Sequence, residues 1–99
     1  MVNRENINST ILKNGFSGEI DLLTIDIDGI DFWVLDAIHV VWPRVVIVEI
    51  NPIFGERSIT IPYKDNFIKG NDDYYGASLM AYYKMMTKKG YRLIGTNSY

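Results

Sequence analysis

Cysteine is absent from the 99-residue chain, and histidine occurs once, at His39. Without cysteine there are no disulfides, thiolate metal sites or cysteine nucleophiles, and a single histidine gives no histidine metal cluster. The net charge of −2 argues against nucleic acid or an anionic membrane as the main partner, because both attract basic surfaces. Candidate chemistry must therefore be sought among carboxylate, amide and hydroxyl side chains.

Long apolar runs and several functional motifs are also absent. No apolar stretch is long enough to span a bilayer, and the polar start MVNRENINST lacks the pattern of a signal peptide. The chain contains no G-x-S-x-G elbow, no G-x-x-x-x-G-K loop and no G-x-G-x-x-G fingerprint, so those nucleophile and nucleotide sites are excluded. The sequence predicts one domain over residues 1–99, in the cytoplasm.

Apolar and turn-forming residues predict an alternation of helices and strands. The expected helix stops are Asn14-Gly15, Pro43 and Gly90. The predicted inward face of the last helix consists of Leu79, Met80, Tyr83 and Met86. The predicted helices span 5–13, 31–41 and 77–89, and the predicted strands span 20–27, 45–50 and 91–95, with a short strand at 58–61.

This order is typical of an α/β fold with a mostly parallel sheet and right-handed crossovers. The nearly continuous apolar run IDLLTIDI predicts a strand buried on both faces. A sheet of about three such strands has apolar edges that must pair with something. We therefore expect either a homodimer that pairs through its sheet edges or neighbouring strands outside this chain.

Carboxylates cluster where the first predicted strand ends, in TIDIDGID. Asp26 and Asp28 are two residues apart, so their side chains share one side of an extended chain, at the edge where open α/β sheets bind ligands. Together they are candidate catalytic residues and candidate ligands for Mg²⁺, which prefers oxygen donors. The alternative is structural: Asp28 and Asp31 cap the turn and the start of the next helix.

Two further regions are predicted to bind substrate. Glu49 lies near the carboxyl end of the second predicted strand, and Asn51 follows that strand. Glu49 is expected to be mostly buried in VVIVEI and to point into the same cleft, or else to be satisfied by a neighbour. The alternative for Asn51 is that it only forms the turn before Pro52. The loop GNDDYYGAS, which includes Tyr75, precedes a helix N-terminus and is rich in hydrogen-bonding groups. Its alternative role is that of a solvated surface loop.

The string IDIDG resembles the first motif of haloacid-dehalogenase-like phosphatases. This resemblance implies that Asp26 is a nucleophile and Asp28 a general acid in a metal-dependent phosphatase-type reaction. The family pattern continues Gly-Thr-Leu or similar, whereas this chain has Gly29-Ile30-Asp31.

A second resemblance covers nearly the whole chain. Four segments carry it, in this order: ENINSTILKNGFSGEIDLLTIDIDGIDFWVLDAI, PRVVIVEINPIFG, SITIPY and YYGASLMAYYKMMTKKGYRLIGTNS. Their order and spacing resemble the C-terminal half of an FkbM-like class I S-adenosylmethionine-dependent methyltransferase domain. The resemblance implies a partial Rossmann-like three-layer sandwich in which the three predicted strands are the fourth, fifth and sixth of a seven-stranded sheet.

The same resemblance implies a function for a longer parent protein. The parent would transfer a methyl group from S-adenosylmethionine to a hydroxyl of a small molecule or glycan, with Asp26 or Asp28 taking the proton or binding Mg²⁺. The glycine-rich loop and the acidic residue that hold the cofactor in such enzymes have no counterpart in this sequence. We therefore expect the isolated chain to be inactive, as a fragment or a non-enzymatic module that dimerises.

Overall fold

A computed structural model describes residues 2–27, 29–64 and 76–96. Within these ranges the chain forms a small α/β structure with three α-helices and two strands. In chain order the elements are α1 (Ile7–Lys13), β1 (Gly18–Ile25), α2 (Asp31–Ala37), β2 (Val41–Val48), a short 3₁₀ helix (Pro52–Phe54) and α3 (Leu79–Lys88). No helix in the described part of the chain has the length and apolar character needed to cross a membrane.

The two strands are parallel, as predicted, and α2 connects them. Gly18 lies opposite Val41, and Ile25 lies opposite Val48. The carboxyl ends of both strands therefore meet at one edge of the sheet. The turn that follows β1 and the turn that follows β2 lie side by side at that edge.

The predicted helix stops at the ends of α1 and α3 are confirmed. Gly15 and Gly90 have φ angles of +89° and +92°, a left-handed conformation that glycine adopts without a steric penalty. The backbone amide of Phe16 then donates to the carbonyl of Ile11 at 3.3 Å. This bond satisfies a carbonyl that the end of α1 would leave unpaired.

The boundary between α2 and β2 differs from the prediction. α2 ends at Ala37, and β2 begins at Val41, so that Pro43 lies inside the strand opposite Ile20. Proline has no backbone N–H to donate to a ladder, but an edge strand tolerates it. The described sheet has only two strands, so both are edge strands. The predicted helix stop at Pro43 is wrong, because α2 ends at Ala37 and Pro43 belongs to the strand.

The predicted third strand, residues 91–95, is wrong. The segment pairs with no strand among the described residues, and Leu93 and Ile94 are 54% and 89% exposed. The segment contacts the sheet through a side-chain hydrogen bond, in which the Tyr91 hydroxyl donates to the carbonyl of Pro43 at 2.6 Å. A strand requires repeated backbone bonds with a neighbour; this single side-chain contact leaves the segment outside the sheet.

The core lies on one side of this small sheet, and the prediction that the strands are buried on both faces is wrong. Leu22, Val45 and Ile47 are 53%, 43% and 55% exposed. Leu22 lies opposite Val45, and side chains two residues apart share a face, so all three form one apolar patch, here called the bare face. The buried cluster includes Ile25 from β1 and Val34 from α2.

The predicted short strand at 58–61 is reduced to a single bridge. Thr60 pairs with Ala77 in the antiparallel sense, and the amide of Ile61 donates to the carbonyl of Gly76 at 3.2 Å. The indole Nε1 of Trp33 donates to the carbonyl of Ile61 at 2.7 Å. The first two contacts join residues 60–61 to residues 76–77, just before α3, and the Trp33 bond joins residue 61 to α2.

Candidate functional site

Asp26 and Glu49 immediately follow the last paired residues of the two strands, Ile25 and Val48. Neighbouring strands lie about 4.8 Å apart, so the register brings these two carboxylate-bearing positions to the same edge. Both side chains are exposed. The expectation that Glu49 is buried is wrong, because β2 ends at Val48 and position 49 continues the alternation of the exposed residues Val45 and Ile47.

Asp31 shapes the turn that carries Asp26. It is 3% exposed; its Oδ1 accepts from the amide of Gly29 and its Oδ2 from the amide of Ile27, both at 2.9 Å. The carboxylate also lies in the first turn of α2, where the helix dipole favours negative charge. The structural role weighed for Asp31 is confirmed for the turn. Its helix-capping part is wrong, because the N-cap residue of α2 is Ile30 and no side chain caps that end.

Asn51 performs the equivalent task after β2. It is 2% exposed, and its Oδ1 accepts from the amide of Ile53 at 3.1 Å, at the start of the 3₁₀ helix. Its backbone amide donates to the carbonyl of Ala77 at 2.8 Å. The turn-forming role is thus confirmed, while substrate binding by Asn51 stays a prediction.

The residues that precede α3 close the same edge of the sheet. The amide of Gly76 donates to the carbonyl of Gly29 at 2.8 Å. Ser78 is fully buried, and its Oγ accepts from the amides of Ala81 and Ile59, at 3.1 and 3.0 Å. The serine both caps α3 and joins it to the preceding segment. The serine before the helix is the sequence signal that could have identified this junction.

Tyr82 is a buried residue at this edge that the sequence analysis missed. It is 3% exposed, and its hydroxyl has no hydrogen-bond partner among the described residues. Burial, and then the negative charges of Asp31 and Glu49, raise the pKa of the Tyr82 phenol above its ordinary value. The phenol therefore stays protonated at neutral pH, so it is suited to donate a hydrogen bond and not to act as a base.

The predicted inward face of α3 is correct in part: Met86 packs against the core, but Met80 and Tyr83 do not. Met80 and Tyr83 are 37% and 47% exposed, whereas Ala81, Tyr82 and Met85 are buried. The Tyr82 ring packs against Phe32 with centroids 5.5 Å apart. The aromatic contact with α2 fixes the rotation of α3 and turns Tyr82 inward.

The remaining predicted site residues, Asp28 and Tyr75, lie outside the described residues. Across residues 2–27, 29–64 and 76–96, there is no group of three or more acidic or histidine side chains placed to hold a metal ion. Asp26 and Glu49 offer oxygen donors of the type that Mg²⁺ accepts, but two carboxylates do not by themselves define a metal site. The Mg²⁺ expectation stays a prediction.

Comparison of the chain with protein-family models, with curated proteins and with solved structures gives no match.

Proposed function

We propose that this chain is the acceptor-binding half of an S-adenosylmethionine-dependent methyltransferase domain of the FkbM-like kind, and that the complete domain has a Rossmann-like sandwich fold. The sequence resemblance suggests this function. The parallel β1–α2–β2 unit supports it, because such units place ligand-binding residues at the carboxyl ends of their strands.

The observation that carries the proposal is the incomplete cover of the sheet. Leu22, Val45 and Ile47 expose a contiguous apolar face, and both described strands have an outer edge. Exposed apolar faces and unpaired edges are sites where further structure packs. Neighbouring strands and a helix of a longer domain would cover both.

The residues present do not form the cofactor pocket that this family requires. The chain contains no G-x-G-x-x-G loop, and the described carboxyl edge is lined by acidic side chains. S-adenosylmethionine supplies an activated methyl group when bound. The part assigned to this chain is to position the acceptor and to accept its proton.

At the carboxyl edge, Asp26 is the proposed proton acceptor because its carboxylate is exposed next to the strand end. Glu49 lies beside it in the register and is proposed to orient the acceptor hydroxyl. Asp31 is excluded from that role, since both of its oxygens already accept backbone amides. Asp28, Asn51 and Tyr75 remain proposed contributors to the same acceptor site.

The first test is the DNA sequence that flanks the reading frame. We expect an in-frame upstream segment that encodes an apolar strand followed by a glycine-rich loop. A stop codon immediately before Met1 would contradict the proposal, and a partner that covers the bare face would then become the object of the search.

The second test measures methyl transfer in the protein encoded by the longer frame. Labelled S-adenosylmethionine is supplied with a panel of glycans and small hydroxyl compounds, and Asp26→Asn is expected to lower turnover about 100-fold or more, the usual effect of losing a general base. The matched control is Asp21→Asn, which makes the same change at an exposed position within β1. Unchanged turnover of a folded Asp26→Asn protein would remove Asp26 from the mechanism.

A further inference from the structure

A groove lies between α2, α3 and the segment around Ser58 and Thr60, and the carboxyl-edge residues Asp26 and Glu49 are not among its lining residues. Its volume is about 390 Å³, within the range of small-molecule sites. The lining residues are Phe32, Asp36, Ser58, Thr60, Ala81, Lys84, Met85, Lys88 and Lys89.

The groove concentrates positive charge on a chain whose net charge is −2. Lys84 and Lys88 are four residues apart on α3, so they project from the same helix face. Lys89 is neutralised by Asp36: its Nζ lies 3.9 Å from the carboxylate and donates to the Asp36 carbonyl at 2.9 Å. Among the described lining residues, two lysine charges therefore remain to attract an anion into the groove.

The position of these lysines is only partly explained by helix stability. A lysine in the last turn of a helix interacts favourably with the helix dipole, which accounts for Lys88. Lys84 lies in the middle of α3, beyond the reach of that effect, and like charges four residues apart repel. An anion between the two lysines would convert this repulsion into attraction.

The remaining lining residues indicate what kind of anion fits. Ser58 contributes a hydroxyl that can donate to a phosphate oxygen, and lysine binds phosphate as a point charge. The Thr60 hydroxyl already donates towards the carbonyls of Ile61 and Gly76, at 3.3 and 3.5 Å, so the phosphate is assigned to the lysines and Ser58. Phe32, Ala81 and Met85 supply an apolar side. We propose that this groove binds a phosphate monoester, with the phosphate between Lys84 and Lys88 and an apolar substituent against Phe32.

The test is a titration of the full chain with phenyl phosphate. Binding is monitored by nuclear magnetic resonance, through the chemical shifts of the backbone amides of residues 58–60 and 84–89. We expect saturable shifts with a Kd of about 1 mM or lower, and weaker binding as salt is added. Inorganic phosphate and phenol, titrated separately, should each bind more weakly. Equal affinity for inorganic phosphate would overturn the assignment of an ester, and the absence of saturable shifts would overturn the site.

Charge variants identify the residues responsible. Lys84→Gln is expected to weaken phosphate binding about fivefold, and the double variant Lys84→Gln with Lys88→Gln about 25-fold. Each factor is the loss of attraction between one lysine charge and one phosphate charge about 4 Å apart in water. Lys13→Gln on α1 removes the same charge from an exposed position outside the groove and should leave the Kd unchanged. If the double variant bound as tightly as the unaltered chain, with the same far-ultraviolet circular dichroism, the proposal would be wrong.

Discussion

Replacing Asp31 with alanine should destabilise the protein more than the loss of an ordinary surface carboxylate. The Asp31 side chain is 3% exposed and accepts hydrogen bonds from two backbone amides, those of Ile27 and Gly29. A buried donor left without an acceptor costs about 1–3 kcal/mol. The Gly29 bond is buried, and the Ile27 bond is partly buried, so water can replace only the second acceptor well.

From these bonds we expect Asp31→Ala to lower the free energy of unfolding by about 3 kcal/mol, including about 0.5 kcal/mol of lost interaction with the α2 dipole. A chain of this length has a total stability of about 5–15 kcal/mol, so the midpoint of thermal unfolding should fall by about 15 °C. Asp31→Asn keeps one acceptor oxygen and should lose about half as much. The measurement is urea unfolding followed by far-ultraviolet circular dichroism.

Asp36→Ala is the matched control, because Asp36 lies on the same helix but is half exposed, with its carboxylate 3.9 Å from the Lys89 ammonium. Exposed pairs of this kind contribute about 0–1 kcal/mol. A loss below about 1 kcal/mol for Asp31→Ala, equal to that of Asp36→Ala, would refute the reasoning. It would mean that the turn after β1 is held by contacts other than the Asp31 carboxylate.

Two other predictions concern Tyr82 and the bare face. Tyr82→Phe removes a buried hydroxyl that has no partner among the described residues, so urea unfolding at pH 7 should show unchanged or slightly higher stability. Because burial, and then the charges of Asp31 and Glu49, raise the folded-state pKa of Tyr82, the unfolded chain loses the phenolic proton first. Stability should hold below about pH 10 and then fall by up to about 1.4 kcal/mol per pH unit. Tyr82→Phe should reduce this slope, and a part should remain because burial also raises the pKa of Tyr91. Because the bare face is apolar and exposed, we expect concentration-dependent self-association in sedimentation velocity. Val45→Glu should abolish this association, whereas Ile53→Glu, at a 63% exposed position outside the sheet, should leave it intact. A compact monomer at all concentrations would contradict the prediction.

Local sequence signals correctly predicted much of the fold because the interactions involved are themselves local. The glycine stop of α1, the turn at Asn51 and the turn held by Asp31 each depend on bonds within a few residues. The parallel pairing of β1 and β2 followed from the helix between them. Such features depend little on what else the chain contacts.

The errors arose where a residue's environment is set by distant parts of the chain. Residues 91–95 have a strand-like pattern, but a strand forms only beside a neighbour with free backbone groups. The apolar runs of β1 and β2 predicted cover on both faces, yet Leu22 and Ile47 remain exposed. Tyr82 was missed because its inward rotation depends on the contact with Phe32, which sequence periodicity does not reveal.

Negative charge collects at the carboxyl edge of the described sheet. Asp26, Asp31 and Glu49 all bring negative charge to that edge, and Glu49 and Asp31 act together on the pKa of the Tyr82 phenol. A phosphate monoester carries up to two negative charges and would be repelled there unless a bound Mg²⁺ offset the carboxylates, whereas a neutral hydroxyl acceptor would not. The groove beside Lys84 has the opposite charge and suits the phosphate. The two proposed sites therefore select different ligands, and loss of one should leave the other intact.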